Sequence, residues 1–197
     1  MSRYSADDDY CYPGTSVLRN KLNYQDQESL DLFEAEITTL RMIELQESPI
    51  VGNFDLAHLQ KIHFHIFQDV YDWAGEIRSV DISRGDSRFA NQQYIESSAA
   101  KLFEKLANEN YLQGLDIETL ADKAAYYLSE INAIHPFREG NGRVQRAFIS
   151  QLCNQAGYVF DYSDVEPAQF LKAMINAFNG DETALSEIMR RSLSQSN

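Results

Sequence analysis

The sequence predicts an all-α fold, a helical bundle carrying one small β-hairpin. Apolar residues recur at spacings of three and four through most of the 197 residues, the signature of helices that bury one face. Only one short stretch, Ser79-Val80-Asp81-Ile82-Ser83, alternates polar with β-branched residues and runs into the turn chemistry of Arg84-Gly85-Asp86. A hydrophobic fraction of 44% suffices for a single core.

Residues 1–9 contain Asp7, Asp8 and Asp9 and no large aliphatic side chain beyond Met1, and are expected to form an acidic flexible tail. Residues 10–197 are expected to form one domain. Leu30, Phe33, Ile37 and Leu40 set a first helix that ends near residue 46, before Ser48-Pro49 and Gly52-Asn53. Asp55 should cap a second helix that turns Leu56, Leu59, Ile62, Ile66 and Val70 inward. Its three histidines, His58, His63 and His65, are spaced by five and two, which does not place the rings on one face as a helical zinc site requires. They are read as packing or surface residues. Tyr71 and Trp73 are read as core aromatics beside a turn at Gly75.

After the hairpin, Tyr94, Ile95, Ala99, Leu102 and Leu106 resume the helical period, and Asp116 should cap the next helix. The stripe Ile117, Leu120, Ala124, Leu128 and Ile131 extrapolates to position 135, so His135 should emerge from a buried helix face at its end. Val144, Phe148 and Leu152 mark a helix that Gly157 closes. A short polar connection leads to Pro167, which suits a first helical turn, and to Phe170, Leu171, Met174 and Phe178. Asp181 should cap a last helix carrying Leu185, Ile188 and Leu193.

Charge singles out residues 135–146, His-Pro-Phe-Arg-Glu-Gly-Asn-Gly-Arg-Val-Gln-Arg. A chain of net charge -13 places Arg138, Arg143 and Arg146 within nine residues, where its average basic density would give roughly one. Gly140, Asn141 and Gly142 tolerate positive φ, so this turn can aim successive N–H groups at one anion. The helix that follows has arginines rather than acids in its first turn, which opposes its dipole unless an anion binds there. Arg143 and Arg146, three apart, should both reach that ligand. His135, which precedes a proline and so leaves the helical conformation, is a candidate general base. Glu139, beside a phosphate site, is a candidate Mg²⁺ ligand. A base, a magnesium ligand and a phosphate cradle together indicate phosphoryl or nucleotidyl transfer.

This segment resembles the Fic family signature His-x-Phe-x-(Asp/Glu)-Gly-Asn-Gly-Arg-x-x-Arg and matches every specified position. A second stretch, Ile62-His63-Phe64-His65 through Val70-Tyr71-Asp72-Trp73-Ala74-Gly75 to Arg78, is similar to the N-terminal half of the same family. The resemblance spans residues 10–190. It implies a Fic-like helical bundle whose hairpin, about residues 78–90, is a flap near the active site, with Val80, Asp81, Ile82 and Ser83 docking an extended segment of a target protein. It implies ATP as substrate and Mg²⁺ as cofactor, the phosphates lying on Gly140, Asn141, Gly142, Arg143 and Arg146 and the metal on Glu139. His135 would deprotonate a target hydroxyl that attacks the α-phosphorus, making the chain a protein adenylyltransferase. Phe137 is expected to pack beneath the loop.

Many family members are silenced by a helix bearing Ser/Thr-x-x-x-Glu-Gly/Asn whose glutamate pairs with the second motif arginine, here Arg146. The spacing occurs only at Thr183 and Glu187, and Ile188 follows instead of Gly or Asn. Glu187 is therefore read as a surface acid, and the resemblance implies a separate small antitoxin-like inhibitory partner. Related stand-alone toxins modify type II topoisomerase subunits, an expected target class here. The alternatives are other nucleotidyl or phosphoryl transfer by the same loop and a non-catalytic nucleotide-sensing helical adaptor. The acidic composition argues against direct nucleic-acid binding. Two cysteines, Cys11 and Cys153, lack metal-type spacing, and neither a basic apolar leader nor an 18-residue apolar run is present, so the expected location is cytoplasmic with no membrane partner.

Overall fold

A computed structural model describes residues 9–84 and 87–196. The expected tail, apart from Asp9, and the turn residues Gly85 and Asp86 lie outside the described residues. Seven α-helices are seen among the described residues: α1 (Gln27–Glu47), α2 (Leu56–Phe67), α3 (Ile95–Asn108), α4 (Ile117–Ile134), α5 (Asn141–Gln155), α6 (Pro167–Phe178) and α7 (Thr183–Ser192). Their starts follow local chemistry. Asp26, Asp55 and Asp116 each accept from a backbone N–H three residues on. Pro167 occupies the first turn of α6, and Gly157 adopts φ +91 just beyond α5.

Helix α4 is the axis of the bundle and packs against α3, α5, α6 and α7. Ala121, Ala124 and Ala125 let neighbouring backbones approach, and Leu120, Leu128 and Ile131 are buried with them, as the period predicts. On α1 the period misleads. Leu40 is 57% exposed, while Glu34 and Thr38 sit on the buried face with Leu30 and Leu45. The reason lies at the start of α5, where Arg143 gives Glu34 and Thr38 a charged, partly buried partner.

The strands are smaller and more numerous than expected. The hairpin consists of β1 (Ser83–Arg84) and β2 (Ser87–Arg88), so Val80, Asp81 and Ile82 precede the strand instead of forming it. Asp81 is diverted by its side chain, which accepts from Asn91 Nδ2 at 2.6 Å and Gln92 N at 2.7 Å. Residues after Gly157 form β3 (Tyr158–Phe160), paired antiparallel with β4 (Leu193–Gln195), where a polar connection was expected. Leu193 therefore lies in a strand and not in the last helix. Asp181, expected as the cap of the last helix, lies one residue before the N-cap Glu182, though its carboxylate accepts from Thr183 N at 3.1 Å. Tyr94, expected on a buried stripe, is 57% exposed at the end of a 3-10 turn.

Candidate active site

His135 ends α4 in the left-handed conformation, φ 49 and ψ 63. Pro136 excludes the α region, and the residue resolves this by turning left-handed rather than extended, reversing the chain within one step. Its Nδ1 lies 3.1 Å from the carbonyl of Asn132. That carbonyl can only accept, so Nδ1 carries the proton and Nε2 is the basic nitrogen. Phe89, from the far root of the hairpin, stacks on the imidazole with ring centroids 3.7 Å apart. Burial drives the imidazole pKa down to about 3, and the nearby Arg78 and Arg84 charges act in the same direction. The ring is therefore neutral throughout the physiological range.

The loop that follows is built as a core element. Phe137 is fully buried beneath it, as expected, and stacks on His63 at 4.0 Å. His63 accepts from Gly75 N at 2.8 Å, which leaves its Nε2–H to donate to the Glu139 carbonyl at 3.1 Å. Burial holds this ring neutral too, with a pKa down to about 3. Asn141, expected to offer its backbone N–H to the phosphate, has a fully buried side chain. Its Nδ2 donates to Phe137 O at 2.7 Å and its Oδ1 accepts from Phe137 N at 3.0 Å, closing the loop upon itself. Of the three residues expected to tolerate positive φ, only Gly140 uses it, at +81. A Cβ there would stand 2.2 Å from Phe67 Cζ, so glycine is enforced by the neighbour as well as by the backbone.

The arginines separate into distinct tasks. Arg138 turns away from the anion turn and is wholly buried, with Nη2 3.9 Å from Cys11 Sγ and its guanidinium 5.9 Å from the Tyr10 ring. Arg143 lines the cleft but is anchored to α1. It donates to Glu34 Oε1 at 2.5 Å and Thr38 Oγ1 at 3.0 Å, and lies over the Phe67 ring at 4.6 Å. Tyr71 donates to the other Glu34 oxygen. Arg143, expected with Arg146 on one ligand, borders the same cleft as Arg146 while also being engaged by α1. Arg146 faces the cleft between the rings of Tyr162 and Phe170, 5.6 and 5.8 Å away, and among the described residues its buried Nε has no hydrogen-bond partner.

These groups border one cleft of about 370 Å³. His135, Glu139, Gly140, Gly142 and Arg146 form its polar end, and Arg84 from β1 lies at its rim. Val165, Phe170, Leu171 and Met174 form an apolar wall opposite, so an anion and a flat apolar group fit side by side. Glu139 is 6% exposed, accepts from Gly140 N at 2.9 Å and stands 3.9 Å from Arg143 Nη2. Among the described residues no group of three or more His, Cys, Asp or Glu could hold an ion by protein atoms alone. One carboxylate beside a phosphate turn suits Mg²⁺, which completes its shell with phosphate oxygens and water.

Of the expected docking residues, Ile82 is buried, Asp81 is occupied in capping, and Val80 and Ser83 are half-buried. Glu187 is exposed on α7, and Arg191 reaches its carbonyl at 3.4 Å instead of its carboxylate. Sequence reasoning missed Glu34, Thr38, His63, Arg78 and Phe89. Glu34 and Thr38 could have been found from their spacing of four between the apolar Leu30 and Leu45. No local signal marks the others.

A family model described as Fic/DOC family matches residues 53–153. The protein named "Probable protein adenylyltransferase y4lH" from Sinorhizobium fredii is 46% identical, over 97% of this chain and 99% of that protein. "Protein adenylyltransferase VbhT" from Bartonella schoenbuchensis is 42% identical over 99% of this chain, which spans only 41% of the length of VbhT. The crystal structure of BepC from Bartonella tribocorum with bound AMPPNP superposes with a TM-score of 0.89 at 26% identity, covering 95% of this chain and 97% of that one.

Proposed function

Because the chain belongs to the Fic/DOC family, we propose that it is a protein adenylyltransferase that moves AMP from ATP to a hydroxyl side chain of a target protein. One observation carries the reading: a neutral imidazole, a glycine turn at a helix N-terminus and Arg146 border a single cleft with an apolar wall. The adenine packs on Phe170, Leu171 and Met174. The phosphates lie along Gly140 and Gly142, where the dipole of α5 favours negative charge and no acidic residue of its first turn opposes it. Arg146 holds the outer phosphates, and Arg143, fixed by Glu34 and Thr38, steadies the turn beneath them.

His135 Nε2 accepts the proton of the target hydroxyl as its oxygen bonds to the α-phosphorus. The bond from that phosphorus to the bridging oxygen breaks, and pyrophosphate leaves with the electron pair. Glu139 would hold Mg²⁺, which when bound supplies charge neutralisation at the phosphates. Because Nδ1–H is held by Asn132, the imidazolium formed in this step is stabilised by the same carbonyl that set the tautomer.

The backbone near Val80, Asp81, Ile82 and Ser83 would receive the target segment, although the side chains of Asp81 and Ile82 are committed elsewhere. Among the described residues the buried Nε of Arg146 has no hydrogen-bond partner, which is compatible with control by a separate antitoxin-like chain and with a toxin role. A type II topoisomerase subunit is the target class to try first. ATP labelled at the α- or the γ-phosphate decides the chemistry. Label on the target from the α-position alone is expected; label from the γ-position indicates a kinase, and neither indicates a nucleotide sensor.

A further inference from the structure

Arg78 is among the largest fully buried side chains, 1% exposed. A buried guanidinium must have its N–H groups satisfied, and here they go to main-chain carbonyls drawn from two separate parts of the site. On one side, Arg78 Nε donates to the carbonyl of His135 at 2.8 Å and Nη2 to that of Ile134 at 3.3 Å. The Arg78 backbone N–H adds a bond to Pro136 O at 2.9 Å. On the other side, Nη1 donates to Val80 O at 2.6 Å and Nη2 to Ala90 O at 2.5 Å. Val80 and Ala90 are the two roots of the hairpin. Ala90 N also donates to Ala133 O at 3.0 Å, two residues before the base.

We infer that Arg78 is a positioning residue that makes the hairpin roots and the turn bearing His135 one rigid body, so that a hydroxyl presented at the hairpin and the base that deprotonates it share a frame. A guanidinium that merely capped α4 would need only the Ile134 and His135 carbonyls. The bonds to Val80 and Ala90 do nothing for the helix end and join it to the hairpin. The left-handed backbone of His135 is the place where such support is needed, because a non-glycine residue with φ 49 stays there only when its surroundings hold it. Phe89, next to Ala90, adds the ring stack on the imidazole itself. A lysine at position 78 keeps the charge but lacks the planar fork that reaches four carbonyls.

This inference rests on the proposed transfer reaction, so it is tested by one measurement that needs no transfer and one that does. Hydrogen exchange of the unsubstituted protein should give the amides of Arg78, Ala90 and His135 closely matched protection, since they open together. Exchange at Arg78 and Ala90 at least 100-fold faster than at His135 would overturn the single body. If wild-type protein labels a target from α-labelled ATP, Arg78→Lys should label it at least tenfold more slowly at saturating ATP and target, with ATP affinity within twofold of wild type. A wild-type rate, or a loss matched by lost ATP binding, would overturn the positioning role. Absence of labelling by the wild-type protein would count against the transfer reading alone, and the exchange data would still decide the coupling.

Discussion

The catalytic loop and the hairpin beside it are built on opposite principles. Residues 135–146 are a piece of core, in which Phe137, Arg138 and Asn141 are all buried and His63, Asn141 and Glu34 tie the backbone and Arg143 in place. The hairpin has two-residue strands and is secured at its roots by Arg78, Asp81 and the Phe89 stack. Such a small hairpin is marginal by itself. The contrast teaches that the proposed nucleotide site is held by buried contacts on every side, whereas the proposed docking element is, among the described residues, held chiefly at its roots.

The comparison can be broken most severely at Gly140. Gly140→Ala places a Cβ against Phe67 at positive φ, and strain plus overpacking should cost about 3 kcal/mol. For a domain this size the melting temperature should then fall by roughly 10 °C, and calorimetry that finds it unchanged would show that the loop is not rigidly packed. Next in size is Arg146→Ala. Hydrogen bonds to charged groups contribute about 1.5–3 kcal/mol, so titration calorimetry should find ATP bound roughly 10- to 100-fold more weakly with no loss of stability. A parallel loss of stability would place Arg146 with the core and not with the ligand.

The hairpin should respond differently. Asp81→Ala removes the two bonds to Asn91 and Gln92, and at about 1 kcal/mol the target KM should rise roughly fivefold while ATP affinity holds. Weaker ATP binding in that variant would erase the distinction between the two regions. The smallest effect expected is on the pH profile. His135 is neutral from well below pH 6 upward, so the acid limb of kcat/KM should lack the step near 6.5 shown by an exposed histidine. Stability behaves otherwise. His63 and His135 each have a folded pKa of about 3 against about 6.5 unfolded. Between these values the unfolded chain binds more protons, so stability is full above pH 6.5 and is lost as pH falls toward 3, at up to about 1.4 kcal/mol per unit for each group. Acid titration of melting temperature checks the sign.

Much of this frame was legible from local chemistry. Asp55, Asp116, Gly157 and Pro167 mark helix boundaries through side chains that act within three residues, and the α4 stripe leads directly to His135. What could not be read depends on partners distant in the chain. Glu34 carries no mark of its role in the sequence around it, because its partner Arg143 is 109 residues away. Arg138 counts with the arginines of an anion site because composition cannot tell a cation facing the cleft from one facing the N-terminal segment. β3 escaped because three residues are too few to show alternation and the paired strand begins more than thirty positions later.

The measurement that goes most directly to the central claim compares wild type with His135→Ala in two assays, ATP binding by calorimetry and transfer of α-label to a target. In the proposed site other residues would hold the phosphates and adenine, so binding should stay within about twofold. Loss of the positioned base should slow transfer by roughly 10²- to 10⁴-fold. Unchanged transfer by the variant would contradict the account, because the loop would then be a nucleotide cradle whose base lies elsewhere.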